Sequence, residues 1–141
     1  HPAAWSPDRA KVRRPDLFLT AALRALGVSS DRIVGLDRRA YNTHVAGPLK
    51  LMGQQVERPI GPDGWSEKAA TWITPQGLAG RISWALRSPQ SFVEALPDPR
   101  DFVQTAVGPH APPELTFAVG AAESDSDGIG LILTSPTFQR I

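Results

Sequence analysis

Five times in this chain a capping residue stands directly before proline: Ser6-Pro7, Thr74-Pro75, Ser88-Pro89, Asp98-Pro99 and Ser135-Pro136. Proline has no amide hydrogen and a fixed φ of about −65°, so it disrupts helix interiors but suits the first helical position, where the amide has no partner anyway. A Ser, Thr or Asp just before it accepts a hydrogen bond from one of the orphan amides of the first turn. Each pair therefore reads as a helix start. On this reading the fourteen prolines among 141 residues punctuate helices and do not mark disorder. The expectation is an all-α fold, a compact orthogonal array of about six to eight short helices forming one helical domain over 1–141.

Apolar spacing fills in the rods. Pro15 to Leu26 carries Leu17, Phe18, Ala21, Leu23, Ala25 and Leu26 and stops at Gly27, the pattern of an amphipathic helix with a glycine end. Ser30 reads as the cap of a second helix through about Val45, with Ile33, Leu36 and Ala40 on one stripe and Val34, Tyr41 and Val45 on its neighbour. Gly47-Pro48 reads as an interruption, followed by a turn over Leu49 to Met52. Residues 54–66 form one long loop rich in Gly and Pro, with Trp65 in it. Thr74 starts a third main helix with Leu78, Ile82, Ala85 and Leu86 inward. Shorter helices are expected around Phe92 to Leu96, from Pro99 through Ala106 to Gly108, and from Pro113 with Leu115, Ala118, Val119 and Ala122 inward. Leu131, Ile132 and Leu133 mark the penultimate helix and Phe138 a final turn. No alternating β-branched run bounded by hairpin turns appears.

Composition narrows the function classes. Fifteen basic and fourteen acidic residues give a net charge of +1, too balanced to point to nucleic acid or an anionic membrane as partner. No apolar run approaches the roughly 20 residues that span a bilayer. With no cysteine, disulfides and thiolate metal sites are excluded, and the compartment is left open between cytoplasm and periplasm. The chain begins His1-Pro2, and helices start almost at once. The expectation is a C-terminal fragment of a longer protein.

Candidate chemistry is sparse. Glu123, Asp125 and Asp127 followed by Gly128 resemble the first half of a calcium loop, with oxygens at alternate positions before a tight turn. The second half fails, because Thr134 stands where a bidentate carboxylate is required. The competing reading is a helix N-terminus whose dipole suits acidic residues. His1, His44 and His110 lack metal-ligand spacing, and His44 falls on an apolar face where a hydrogen-bonded core role fits. Asp98 and Asp101 read as a cap and a first-turn acid. Arg9, Lys11, Arg13 and Arg14, with Arg32, Arg38 and Arg39, sit among Asp8, Asp16, Asp31 and Asp37 and read as local ion pairs on wet faces. No nucleophile elbow, Walker loop or dinucleotide fingerprint occurs. No cofactor is implied. Trp84 reads as core, while Arg58, Asp63, Trp65 and Trp72 around the long loop are the ligand-binding candidates, tryptophan offering a flat apolar face and a hydrogen-bond donor.

The order of motifs is informative as a whole. Gly64-Trp65, then Trp72-Ile73-Thr74-Pro75, then Leu78 and Arg81, then a Pro-Phe-Val helix, then Leu131-Ile132-Leu133-Thr134-Ser135-Pro136-Thr137-Phe138-Gln139-Arg140 resembles the C-terminal third of the bacterial domain-of-unknown-function 1800 family. His1-Pro2, Trp5 and the helix from Phe18 to Gly27 are similar to that family's pattern upstream, so the resemblance covers nearly the whole chain. It implies a mostly helical protein several times longer than this chain, with no established activity. The family's histidine-bearing segments, including a Trp-His-Asn-His stretch, lie upstream, and nothing here matches them. No functional residue carries over, and Asp63 departs from the lysine that many members have before the Gly-Trp pair.

Three readings follow. The first is a structural or interaction region of a larger bacterial protein, partnered by the remainder of its parent chain or by another protein, with self-association left open. The second is a binding module with a Trp-lined groove for a glycan or peptide. The third is part of an enzyme completed by upstream residues. The first calls for an exposed apolar patch, the second for a concave groove, the third for titratable groups in a half-built cleft.

Overall fold

The computed structural model describes residues 12–54 and 74–140. Ser6-Pro7, Arg9, Lys11, and the loop candidates Arg58, Asp63, Trp65 and Trp72 lie outside the described residues. Within them the fold is all-α, with an isolated antiparallel bridge between Val12 and Arg140. The helices are α1 (Pro15–Ala25), α2 (Ser30–Val34), α3 (Arg38–Tyr41), a π-helical turn (Asn42–Ala46), α4 (Gly47–Leu51), α5 (Pro75–Arg87), α6 (Pro89–Phe92), α7 (Pro99–Val107), α8 (Pro113–Gly120), α9 (Asp125–Leu133) and α10 (Pro136–Gln139).

The cap-and-proline starts hold at three described sites. The Gly77 amide donates to Thr74 Oγ1 at 2.9 Å, the Arg100 amide to Asp98 Oδ1 at 2.9 Å, and the Phe138 amide to Ser135 Oγ at 3.3 Å. Ser88 is the exception. Its backbone is helical (φ −86°, ψ −33°), its side chain caps nothing, and α5 passes almost directly into α6.

The second expected helix is cut differently. Ser29, not Ser30, caps α2 by accepting the Arg32 amide, and the rod ends at Gly35. Asp37 then caps α3 by accepting the Ala40 amide at 2.7 Å. Val34 is 83 % exposed and so lies on no core stripe. From Arg38 the chain stays helical to Leu51, through the Gly47-Pro48 pair that the sequence marks as a break. Pro48 cannot donate to the carbonyl four residues back, and its ring would collide with it. The chain answers with a wider turn, in which the Gly47 amide donates to Asn42 O, five residues back. Only glycine fits there, since a Cβ on residue 47 would lie 2.7 Å from that same oxygen.

α9 is the central rod, packed against α5, α7 and α8. Its glycines set the separation. A Cβ at Gly128 would fall 2.6 Å from the Pro99 ring of α7, and one at Gly130 would fall 2.5 Å from Leu86 Cδ2 of α5. Ile129, Ile132 and Leu133 of α9 and Phe18 of α1 are fully buried. Phe18 packs edge-on to Trp84 at 5.6 Å and to Phe138 at 6.2 Å. Burying each such side chain contributes about 1.5–3 kcal/mol.

Of the expected inward residues of α5, Ala85 is buried but Leu78, Ile82 and Leu86 do not form the inward stripe. That stripe is Gly77, Arg81, Trp84 and Ala85, continued by Ser88, with Ile82 and Leu86 at 47 % and 37 % exposure. Leu131 likewise points outward from α9 at 40 %. On α8 only Val119 is buried, Leu115 and Ala118 being half-buried, as is Ala122 just past its end. The reason on α5 is Arg81, a residue that hydropathy counts as polar but that is 2 % exposed. Its Nη1 donates to Gln139 Oε1, its Nη2 to Arg13 O at 2.7 Å, and its guanidinium lies over the Phe18 ring, 5.3 Å from the centroid. Gln139 Nε2 in turn donates to Leu133 O at 2.5 Å, and the Arg13 amide to Gln139 O at 2.7 Å. One buried cation thus joins α5 to the segment before α1 and to α10. Burial pushes the Arg81 guanidinium down to about 10, so it stays charged at neutral pH.

Candidate functional site

The π turn creates a problem that the next wall of the molecule solves. With no amide at Pro48, the His44 carbonyl lacks its helical donor. Trp84 of α5 supplies one, its indole Nε1 donating to His44 O at 2.7 Å. The His44 ring is held as well, with Nδ1 hydrogen-bonded to Ser88 Oγ at 3.1 Å and the ring edge-on to Phe92 at 5.6 Å. Two cross-bonds therefore fix the π turn and α4 against α5.

Between these walls runs a groove of about 680 Å³. Its apolar lining comes from Pro48, Leu51, Gly80 and Trp84, and its polar lining from Thr43, His44, Lys50, Gln76, Ser83, Arg87 and Ser88. No carboxylate of the described residues lines it. Lys50 and Arg87 are exposed, and neither is in an ion pair among the described residues. A second cleft, of about 260 Å³, lies under α1 and is lined by Asp16, Tyr41, Gln54 and aliphatic side chains. Ligand pockets commonly enclose about 300–1,000 Å³, and only the first cavity reaches that range.

A serine hydroxyl near an imidazole suggests an activated nucleophile. The geometry argues for a positioning role instead. Ser88 is 5 % exposed, and no carboxylate among the described residues orients the far nitrogen of His44. The bond anchors the ring, in keeping with the hydrogen-bonded role expected for His44.

The acidic residues near α9 are placed as follows. Ser124 caps α9, accepting the Asp127 amide at 3.1 Å. Asp125 and Asp127 occupy its first turn, and Glu123 precedes the cap. Residues two apart on a helix project to different sides, and Gly128 serves helix packing where a calcium loop would use it to turn. Among the described residues no group of three or more His, Asp or Glu could hold a metal ion. Asp98 is engaged by Arg100, whose Nη2 lies 3.0 Å from Oδ2, and these hydrogen bonds hold the Asp98 carboxyl below its usual value. Of the basic run, Arg14 pairs with Asp16 at 2.8 Å, while Arg13 donates from Nε to Phe138 O and lies over that ring.

A family model described as "Protein of unknown function (DUF1800)" matches residues 1–140. The chain belongs to the DUF1800 family. No curated protein and no solved structure matches it. The DUF1800 resemblance in the sequence rests partly on Arg81, Ser135, Phe138 and Gln139; in the fold Arg81 is hydrogen-bonded to Gln139, and Ser135 caps the short helix that carries Phe138 and Gln139. No helix among the described residues of this DUF1800 chain is long and apolar enough to cross a membrane. The groove residues Lys50, Arg87 and Ser88 escape a motif search. A proline preceded by glycine inside a helical repeat was the one signal for them, because such a pair calls for a widened turn.

Proposed function

We propose that this region of the DUF1800 protein is a binding module, and that the groove between the π turn, α4 and α5 is its ligand site. One observation carries the reading. The bond from Trp84 Nε1 to His44 O ties the two walls together across the groove. A cavity whose walls are bonded to each other loses little conformational freedom when a ligand enters. The π turn points the same way, since such turns cluster at functional sites. The test is a fragment screen followed by amide NMR shifts on the labelled chain. Shifts that concentrate in 43–51 and 76–88 for any fragment class support the reading. Shifts that never concentrate there overturn it.

A second reading has its own observation. Ile82 and Leu86 of α5 and Leu131 of α9 are large aliphatic side chains left 37–47 % exposed on two helices packed together. On this reading the α5–α9 face supports another part of the parent protein. The chain has no cysteine, so an Ile82→Cys variant gives a single labelling site. Slower thiol labelling in the parent protein than in the isolated region supports this role, and equal rates refute it.

A further inference from the structure

We infer that the ligand of this groove is an organic oxyanion, a carboxylate or phosphate ester carrying a small apolar body. The inference rests on the binding-module reading and adds the chemistry of the ligand.

The charge distribution supplies the first argument. The chain as a whole is nearly neutral, at +1. The groove is not balanced in this way. Lys50 at the end of α4 and Arg87 at the end of α5 both line it, and no Asp or Glu among the described residues does. The ion pairs of the described residues lie elsewhere, at Arg14–Asp16 and Arg100–Asp98. Part of each cation's role is to offset the helix C-terminus it sits on. That role requires no shared cavity, yet the two helices bring both side chains to one.

The neutral donors supply the second argument. Thr43, Ser83 and Gln76 line the same groove and offer hydroxyl and amide hydrogens, as an oxyanion with several lone pairs requires. The third argument concerns the floor. Leu51, 56 % exposed, and the half-buried Pro48 leave apolar surface beside those donors, which an inorganic ion would not cover. A ligand with a charged head and a compact apolar body uses both.

The probes are benzoate and phenyl phosphate, with benzamide as the neutral isostere, each titrated into the chain while amide NMR shifts are followed. The expected result is binding of one or both anions with shifts in 43–51 and 76–88, and at least about tenfold weaker binding in Lys50→Gln and in Arg87→Gln, the usual value of one charge-assisted hydrogen bond. Arg24→Gln, an exposed cation on α1, removes the same charge away from the groove and leaves binding unchanged. A preference between the two anions identifies the head group. Benzamide binding as well as benzoate, or equal loss in Arg24→Gln, overturns the oxyanion inference while the groove reading stands. Shifts from no probe in those segments overturn the oxyanion inference, and the fragment screen then decides whether the groove reading survives.

Discussion

Arg81 and Gln139, 58 residues apart, are hydrogen-bonded to each other in the interior, and both are almost wholly buried. The bond matters because Gln139 faces two ways. Its oxygen accepts from the guanidinium and its nitrogen donates to Leu133 O. A carboxylate would have answered the charge of Arg81 more directly but could not make the second bond. The amide therefore serves as a relay between α5 and the end of α9.

Gln139→Leu strips one donor of Arg81 of its acceptor and leaves Leu133 O without its donor. A buried group left unsatisfied costs about 1–3 kcal/mol, and more when it is charged. The expected loss is about 3 kcal/mol or more, read from urea unfolding. Arg81→Met combined with Gln139→Leu removes both sides at once, and the double variant should be more stable than the sum of the two single losses predicts. Additive losses would show that the pair is not energetically coupled.

Trp84→Phe keeps the ring in the core beside Phe18 but removes the donor to His44 O. The expected cost is about 1–3 kcal/mol for the stranded carbonyl. Pro48→Ala restores an amide that can reach His44 O, so Trp84→Phe should cost less in that background than in the native chain. A cycle of the four proteins by chemical denaturation measures the difference. An identical cost in both backgrounds would refute the account of the π turn as a consequence of Pro48.

Gly128 and Gly130 both hold α9 against its neighbours, but what they touch differs. At Gly130 the added methyl meets Leu86 Cδ2, the far end of a flexible and partly exposed side chain. At Gly128 it meets two atoms of the Pro99 ring, which has no rotamer to escape into. Overpacking costs about 1–3 kcal/mol. Gly128→Ala is expected at or above the top of that range and Gly130→Ala near the bottom. Leu86→Ala should rescue Gly130→Ala, and it should leave Gly128→Ala unimproved. Thermal melts of the native chain, the three single variants and the two doubles decide this.

Thr74, Asp98 and Ser135 can be read as helix starts because a cap is a local event, settled by a side chain and an amide two or three residues on. The same locality misleads at Ser88. Its sequence context matches the others, but its hydroxyl is taken by His44, 44 residues away. Arg81 shows the limit from another side. Its spacing with Trp84, Ala85 and Ser88 is that of a buried stripe, yet a hydropathy reading discards an arginine, and its acceptors lie at positions 13 and 139, which no helical period connects to it. The groove was hidden for a related reason. Lys50 and Arg87 belong to different helices, and only the packing of α4 on α5 brings them together. The loop tryptophans Trp65 and Trp72 lie outside the described residues and remain candidates on the strength of the sequence.

Asp98 offers a test by pH. The side-chain hydrogen bond from Arg100 is the largest cause holding its carboxyl below the usual 3.8, followed by the bond from the Arg100 amide. A carboxyl with a depressed folded-state value contributes stability above the unfolded value and loses it as pH falls through the folded one. The window is therefore acidic, from 3.8 downward. Asn caps helices about as well as Asp, so Asp98→Asn keeps the cap of α7 and removes the charge facing Arg100. At neutral pH and low salt the native chain should have the higher urea midpoint. Below 3.8 that advantage should shrink toward zero, and salt should shrink it at neutral pH, because the pair is exposed and screened. An advantage that persists unchanged into acid would mean that Asp98 acts through its cap alone.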